Sequence, residues 1–197
     1  MQLARVPEVN RVVALTRRPL DFSLPPKLIS QIADFGHLDQ LDVGAIDTAF
    51  CTLGTTIKVA GSREAFRLVD FDYTVAFARF ARKCGAKTYV LLTAVDADSL
   101  SRNFYLSVKG EAEKSVGAIG FESLYIARPS FLIGERAEQR AGEKIGIAVA
   151  QALQFALIGR LRKYRPIDVR VLAGGMIRAA ARSAAGTHIL QYDDLLG

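Results

Sequence analysis

Residues 88–113, TYVLLTAVDADSLSRNFYLSVKGEAE, decide the fold. The first part, 88–94 (TYVLLTA), is a nearly continuous apolar run, which predicts a strand buried on both faces of a parallel sheet. A short polar loop separates this strand from a helix predicted over 103–116. A strand followed directly by a helix is the repeating unit of α/β folds with a parallel sheet.

The rest of the chain repeats this alternation. Further strands are predicted at Val12–Thr16 (VVALT), 46–53 (IDTAFCTL), 123–128 (SLYIAR) and, at the sheet edge, 188–192 (HILQY). Further helices are predicted at 62–83, 138–161 and 169–181, the first with Ser62 as its N-cap and Gly85 after its end. This order predicts a Rossmann-like, doubly wound α/β fold with a mostly parallel sheet. We expect residues 1–197 to form a single domain, with a small substrate-side portion around 129–197.

The composition narrows the functional class. The 197 residues include 26 Lys+Arg and 20 Asp+Glu, for a net charge of +6, and half of them are hydrophobic, so wholesale disorder is excluded. The basic residues are scattered along the sequence, so we expect no nucleic-acid partner. Two cysteines and two histidines, far apart, give no basis for a disulfide framework or a zinc site, and no metal is expected.

Two apolar features bear on location and assembly. The first residues, MQLARVPEVNR, contain no apolar run of a secretion signal, so a cytoplasmic protein is expected. The longest uncharged run, 145–159, is shorter than the ~20 residues of a membrane span and predicts a mostly buried helix, with an interfacial membrane helix as the alternative. This helix or an exposed sheet edge is the expected contact of a homodimer.

The beginning of the sequence lacks a feature of this fold. The first βα unit normally carries a glycine-rich turn that lets the backbone approach a pyrophosphate, but no GxGxxG or GxxGxxG precedes VVALT. The missing strand would be central in the sheet, and its loss would leave unpaired backbone groups that cost about 1–3 kcal/mol each. Either the chain begins downstream of the true start, which is our expectation, or another element fills the gap.

Tyr105 and Lys109 form a Tyr-x-x-x-Lys pair at the start of the helix predicted over 103–116. Residues four apart lie on one helix face, so the phenol and the ammonium can reach one site, where the ammonium would stabilise a phenolate. Such a phenol suits a proton donor in carbonyl reduction. Thr93, at the end of the preceding strand, could orient a carbonyl substrate, or it could simply bond a loop amide.

Residues at the carboxyl ends of three other strands are candidates for cofactor binding. Arg17 and Arg18 end VVALT, where dinucleotide folds meet the adenosine ribose, and two cations without a neighbouring acid favour NADP over NAD. The alternative for this pair is a solvated loop edge. The remaining candidates, which could otherwise be a turn and a strand terminus, are Leu53, Gly54, Thr55, Arg128, Pro129 and Ser130.

Three segments carry a family resemblance: FCTLGTTIKVAGSREAFRLVDFDY (50–73), YVLLTAVDADSLSRNFYLSVKGEAE (89–113) and IARPSFLIGER (126–136). They resemble the atypical short-chain dehydrogenase/reductases, in the branch of bacterial NAD(P)-binding oxidoreductases related to the mammalian Tat-interacting protein. The resemblance implies a Rossmann-like fold, NADP(H) binding and a Ser/Thr–Tyr–Lys catalytic set.

Carried onto this sequence, the resemblance makes Tyr105 the proton donor or acceptor. Lys109 would bind the nicotinamide ribose and stabilise the Tyr105 phenolate. Thr93 falls where the family often has the first of two serines, and Ala94 replaces the second. The family's glycine-rich phosphate loop has no counterpart here.

Together these features predict an NADP(H)-dependent oxidoreductase that reduces a small carbonyl or oxidises an alcohol, with NAD as the second choice of cofactor. The alternative is a non-catalytic NADP(H)-binding sensor or protein-interaction module, because the family also includes dinucleotide-dependent regulators. The substrate pocket would be lined by the loops after Ala94 and Arg128 and by residues 131–140.

Overall fold

Parallel strands make up the centre of the structure, a computed structural model that describes residues 2–20, 22–134 and 157–197. The strands are β1 (Val12–Thr16), β2 (Leu28–Ile32), β3 (Thr48–Cys51), β4 (Thr88–Leu92), β5 (Ser123–Ala127), β6 (Leu132–Ile133), β7 (Ile167–Asp168) and β8 (Gly186–Leu190). The largest sheet has the order β3-β4-β5-β8, and two smaller sheets pair β1 with β2 and β6 with β7. All of these pairings are parallel.

Helices follow the strands in the chain. They are α1 (Ile57–Ala60), α2 (Arg63–Arg67), a π-helical segment (Leu68–Tyr73), α3 (Thr74–Lys83), α4 (Phe104–Gly117), α5 (Val169–Arg182) and α6 (Tyr192–Leu196). Short 3-10 turns occur at Leu3–Arg5, Leu38–Gln40 and Gly159–Tyr164. The side chains of Ser62, Asn103 and Asp168 cap the N-termini of α2, α4 and α5.

The central strands are buried because alternate side chains enter two hydrophobic cores. Tyr89 and Leu91 of β4 pack on one face of the sheet with residues of α3 and α4. Val90, between them, packs on the other face with Leu172 of α5 and Leu195 of α6. Helices on both faces explain why these strands are almost continuously apolar. The prediction of a doubly wound, mostly parallel α/β fold is confirmed.

The predicted strands form with modest changes at their ends. The strand predicted over 46–53 shortens to β3, and the edge strand predicted over 188–192 forms as β8, two residues earlier. The sequence analysis missed β2, LISQI, which follows Pro25 and Pro26 and has a half-exposed pattern rather than a continuous apolar one.

Two helix predictions need correction. The helix predicted over 62–83 is not one regular helix, because the π-helical segment separates α2 from α3. The helix predicted over 138–161 and the apolar run 145–159 lie mostly outside the described residues. The helix prediction overlaps the described residues at 157–161. There, 157 and 158 have no regular secondary structure and a 3-10 turn begins at Gly159, so this end of the predicted helix is wrong.

The described strands do not join into one sheet. β1 pairs only with β2, and no hydrogen-bonded ladder links β1 to β3 among them. The usual order of this fold places the strand with the glycine-rich turn between these two positions. Side chains connect the two sheets instead: Arg11 Nη2 donates to the Val43 carbonyl at 2.8 Å, and Val13 and Leu15 share a hydrophobic cluster with Phe80 of α3.

Gly110 allows α4 to approach the loop after β4, and this contact supplies a test of the fold. A Cβ at Gly110 would lie 2.2 Å from the Ser99 nitrogen and 2.3 Å from the Asp98 carbonyl carbon, both backbone atoms. Because backbone cannot move aside cheaply, Gly110→Ala should lower the free energy of unfolding by about 1–3 kcal/mol. Thermal unfolding followed by circular dichroism should show a midpoint roughly 2–12 °C lower.

Gly117→Ala is the matched control on the same helix. A Cβ there would meet only Leu124 Cδ2, at 4.0 Å, so this variant should unfold at or slightly above the wild-type temperature. A Gly110→Ala variant that melts with the control would contradict the close approach of α4.

Candidate functional site

Three loops meet at the carboxyl ends of the parallel strands. The loop after β3 contains Gly54 and Thr55, β4 runs into Thr93, and β5 runs into Arg128. The loops after β4 and β5 are tied together, since Val95 N–H donates to the Pro129 carbonyl at 2.9 Å. In open parallel sheets this edge is the usual place for ligands.

A buried ion pair connects α4 to the loop after β3. Lys109 Nζ lies 2.7 Å from Asp70 Oδ1, and the two side chains are 7% and 0% exposed. The other carboxylate oxygen, Asp70 Oδ2, accepts a hydrogen bond from Thr55 N–H at 2.9 Å. The structure therefore brings Lys109 beside Gly54 and Thr55, three of the residues predicted to bind the cofactor.

Gly54 completes this arrangement by having no side chain. A Cβ on Gly54 would lie 3.4 Å from Asp70 Oδ1 and 3.5 Å from Lys109 Nζ. A larger side chain would fill the space over the ammonium. Gly54 thus keeps its position beside the buried Lys109 ammonium free of a side chain.

Sequence reasoning missed Asp70. It lies in the π-helical segment, and π-helical turns occur frequently at functional sites. The available signal was its position: Asp70 is four residues after the large apolar residue Phe66, so the two lie on the same helix face, and Phe66 is buried. A carboxylate on a buried face needs a partner, which here is Lys109.

Tyr105 precedes Lys109 by one turn of α4. Its ring packs against Phe66, with 5.5 Å between ring centroids. Among the described residues its hydroxyl has no hydrogen-bond partner, and the residue is partly exposed. The phenol oxygen is therefore available to a ligand while the ring is held in place.

Thr93 and Arg128 converge on Glu113, which sequence reasoning also missed. Thr93 Oγ1 donates to Glu113 Oε1 at 2.6 Å, and Arg128 donates to both Glu113 oxygens through Nε and Nη2. Glu113 follows Lys109 by four residues, so the signal was a third polar residue on the helix face of Tyr105 and Lys109. Because the Thr93 hydroxyl already donates its hydrogen bond to Glu113, its oxygen can only accept a hydrogen bond from a ligand.

The remaining predicted residues lie apart from these two clusters. Arg17 and Arg18 are exposed at the end of β1 and have no hydrogen bond or ion pair with another described residue. Leu53 packs with the cluster that also contains Val13 and Leu15. Ser130 is partly exposed beside the buried Pro129.

The described residues offer neither a cluster of metal ligands nor a membrane-spanning helix. In the described ranges, no three His, Cys, Asp or Glu side chains are placed to hold a metal ion. No helix there is long and apolar enough to cross a bilayer.

Burial raises the pKa of the Cys51 thiol, which keeps it protonated and unreactive.

Comparison with known proteins identifies relatives, although no family model matches the chain. The protein FMP52, mitochondrial, of Coccidioides immitis is 32% identical over 195 residues, covering 92% of this chain and 79% of that protein. The protein HTATIP2 of Rattus norvegicus is 36% identical over 138 residues, covering 68% of this chain and 57% of that protein. The chain thus spans little more than half the length of the second relative.

Solved structures share the fold at low sequence identity. MoeE5 in complex with UDP-glucose and NAD matches with a TM-score of 0.66 and 16% identity, over 92% of this chain and 67% of that one. The dTDP-glucose 4,6-dehydratase DesIV from Streptomyces venezuelae matches with a TM-score of 0.65 and 13% identity, over 93% and 66%. These likenesses support the Rossmann-like architecture.

The comparisons correct one expectation and establish the family. The expectation of a cytoplasmic protein is wrong, because the FMP52 relatives from Coccidioides immitis, Candida albicans and Saccharomyces cerevisiae are named as mitochondrial proteins. From the identity and coverage of these relatives, the chain belongs to the atypical short-chain dehydrogenase/reductases, in the branch of HTATIP2 and FMP52.

Proposed function

We propose that the chain binds NADP(H) and transfers a hydride between the nicotinamide and a small carbonyl or alcohol. The observation that carries this proposal is the buried Lys109–Asp70 pair, bonded to Thr55 and one helical turn from the free phenol of Tyr105. Residues in two separate places suit the two ends of the cofactor. Gly54 leaves space beside Lys109 for the nicotinamide ribose, and Arg17 and Arg18 are exposed cations suited to a 2′-phosphate.

In this reaction Tyr105 and Lys109 would each have a separate role. The cofactor, when bound, supplies or accepts the hydride. Tyr105 would give its phenolic proton to the forming alkoxide, or accept the proton of an alcohol in the reverse direction. Lys109, held by Asp70, would bond the ribose and stabilise the phenolate. The part around 129–197 would supply the substrate side, and the names of the FMP52 relatives make mitochondria the compartment to examine.

One observation favours the second candidate, a non-catalytic NADP(H)-binding sensor. Thr93 donates its proton to Glu113, and Ala94 has no hydroxyl, so the usual second donor to a carbonyl oxygen is absent from the described site. Tyr105 would then be the main donor, which suits binding better than rapid turnover.

Cofactor choice is tested by calorimetric titration with NADPH and NADH. We expect a Kd for NADPH on the order of micromolar and weaker NADH binding. Replacing both Arg17 and Arg18 by Ala should weaken NADPH binding at least about tenfold, because a charge-assisted bond to the 2′-phosphate is lost, and leave NADH binding unchanged. The matched control replaces Arg79 and Arg82, two exposed arginines of α3. Equal losses in both double variants would contradict the assignment of Arg17 and Arg18.

The role of the ion pair is tested by Asp70→Asn. This change leaves the buried Lys109 ammonium without a counter-charge and should lower the free energy of unfolding by about 3–5 kcal/mol. It should also weaken NADPH binding, since Lys109 and Thr55 lose their common anchor. Asp72→Asn is the control, because Asp72 is exposed in the same π-helical segment. Indistinguishable denaturant midpoints for the two variants would refute the proposed role of Asp70.

Tyr105→Phe separates the enzyme from the sensor. The ring can still pack against Phe66, so the variant should unfold and bind NADPH as the wild type does. An enzyme should lose oxidation of NADPH by a carbonyl panel by about 100-fold or more, since proton transfer is removed. Wild-type binding without turnover on any carbonyl would favour the sensor instead.

A further inference from the structure

Asp96 lies in the loop after β4 in an unusual backbone conformation. Its φ is +59°, in the left-handed region that few residues other than glycine adopt. Its neighbour Val95 donates to the Pro129 carbonyl, so this loop lies against the segment that follows β5. Asp96 therefore stands at the carboxyl edge of the sheet, on the side proposed for the substrate.

The Asp96 carboxylate is bound by two donors from another part of the chain. Lys163 Nζ lies 2.5 Å from Asp96 Oδ1, and the Tyr164 hydroxyl donates to Asp96 Oδ2 at 2.6 Å. The Lys163 nitrogen is also 4.9 Å from the centroid of the Tyr164 ring, so ammonium and phenol form one preassembled group. The two donors bind the carboxylate as they would bind any small oxyanion.

The surroundings of these donors are positively charged. Residues 159–165, GRLRKYR, contain four cations and no acid. Arg162 pairs with Asp193, and the Arg165 guanidinium donates to the Leu157 carbonyl. The hydrogen bonds from Lys163 and Tyr164 lower the pKa of Asp96, and the positive charge of Arg128 acts in the same direction. The two donors and the nearby positive charge thus favour the ionised carboxylate of Asp96.

The ion pair between Asp96 and Lys163 is also partly exposed to solvent, so another anion could replace the Asp96 carboxylate. The Asp96 and Lys163 side chains are 39% and 30% exposed, and ion pairs of this kind contribute little to stability. Release of the carboxylate would also free Asp96 to leave its left-handed conformation. A ligand anion could therefore replace the Asp96 carboxylate at low cost.

We propose that Lys163 and Tyr164 form the anion-binding pair of the substrate side, which Asp96 occupies until a carboxylate or phosphate group of the substrate displaces it. The substrate would then be an acidic carbonyl or alcohol. This proposal rests on the proposed function only in assigning the anion to a substrate; the binding of the anion itself requires neither cofactor nor turnover.

The test is titration of the protein, without cofactor, with inorganic phosphate and separately with acetate, followed by amide NMR shifts. If Asp96 fills the pair in more than 90% of molecules, Asp96→Asn should bind one of these anions at least about tenfold more tightly than the wild type. Asparagine tolerates the left-handed backbone, and Asp96→Gly, which avoids the strain entirely, should show the same gain. The anion whose affinity increases in the Asp96 variants shows whether the substrate group is a phosphate or a carboxylate.

Asp98→Asn is the matched control. It removes the same charge from the same exposed loop without touching Lys163 or Tyr164, so it should bind both anions as the wild type does. Adding Lys163→Gln to Asp96→Asn should abolish the gain. Binding by Asp96→Asn no tighter than by Asp98→Asn, in both the phosphate and acetate arms, would overturn the proposal.

A parallel titration with NADPH separates a substrate anion from a cofactor phosphate. The affinity for NADPH should be the same in the wild type and Asp96→Asn. A tenfold gain for NADPH in Asp96→Asn would assign the pair to the cofactor and overturn its assignment to the substrate. Failure of the wild type to bind NADPH, with the anion gain intact, would count against the proposed function alone.

Discussion

The ion pair between Asp70 and Lys109 is the interaction on which the candidate site depends. Both charges are almost fully removed from water, and such a burial is tolerated only when each charge meets the other and further hydrogen bonds. Here the Thr55 N–H supplies the further bond. The requirement fixes three separate elements at once: the π-helical segment, helix α4 and the loop after β3.

Helix α4 also anchors the other strand ends at this edge of the sheet through buried polar contacts. Tyr105, Lys109 and Glu113 follow one another at intervals of four residues, and the latter two hold different strand ends. Lys109 reaches the loop after β3 through Asp70, and Glu113 reaches Thr93 and Arg128 at the ends of β4 and β5. Because Gly110 lets this helix contact the loop after β4, the spacing of these anchors is set by close packing as well as by charge.

Local pattern predicted the fold and the placement of two candidate-site residues, Tyr105 and Lys109, on one helix. Continuous apolar strands and helical spacing are properties of neighbouring residues, so β4, α4 and the Tyr105–Lys109 pair were readable from the sequence. Asp70 and Glu113 were not, because their partners are far away in the chain and are brought together only by folding. The π-helical turn was also not predicted, because the capping residues Ser62 and Gly85 indicate only where a helix begins and ends, not a change of its hydrogen-bond pattern in between.

Because β1 and β2 form a sheet separate from the four-stranded sheet, the two ends of the proposed cofactor site lie beside different sheets. Arg17 and Arg18 directly follow β1 of the two-stranded sheet, whereas Lys109 lies on α4 and Thr55 in the loop after β3 of the four-stranded sheet. In the described residues these substructures are connected by Arg11 and by the apolar cluster on α3, not by a strand. A dinucleotide that contacts both Arg17/Arg18 and Lys109 would have to span the gap between the two sheets. Its affinity would then depend on how firmly the side chains of Arg11, Val13 and Leu15 fix the position of one sheet relative to the other.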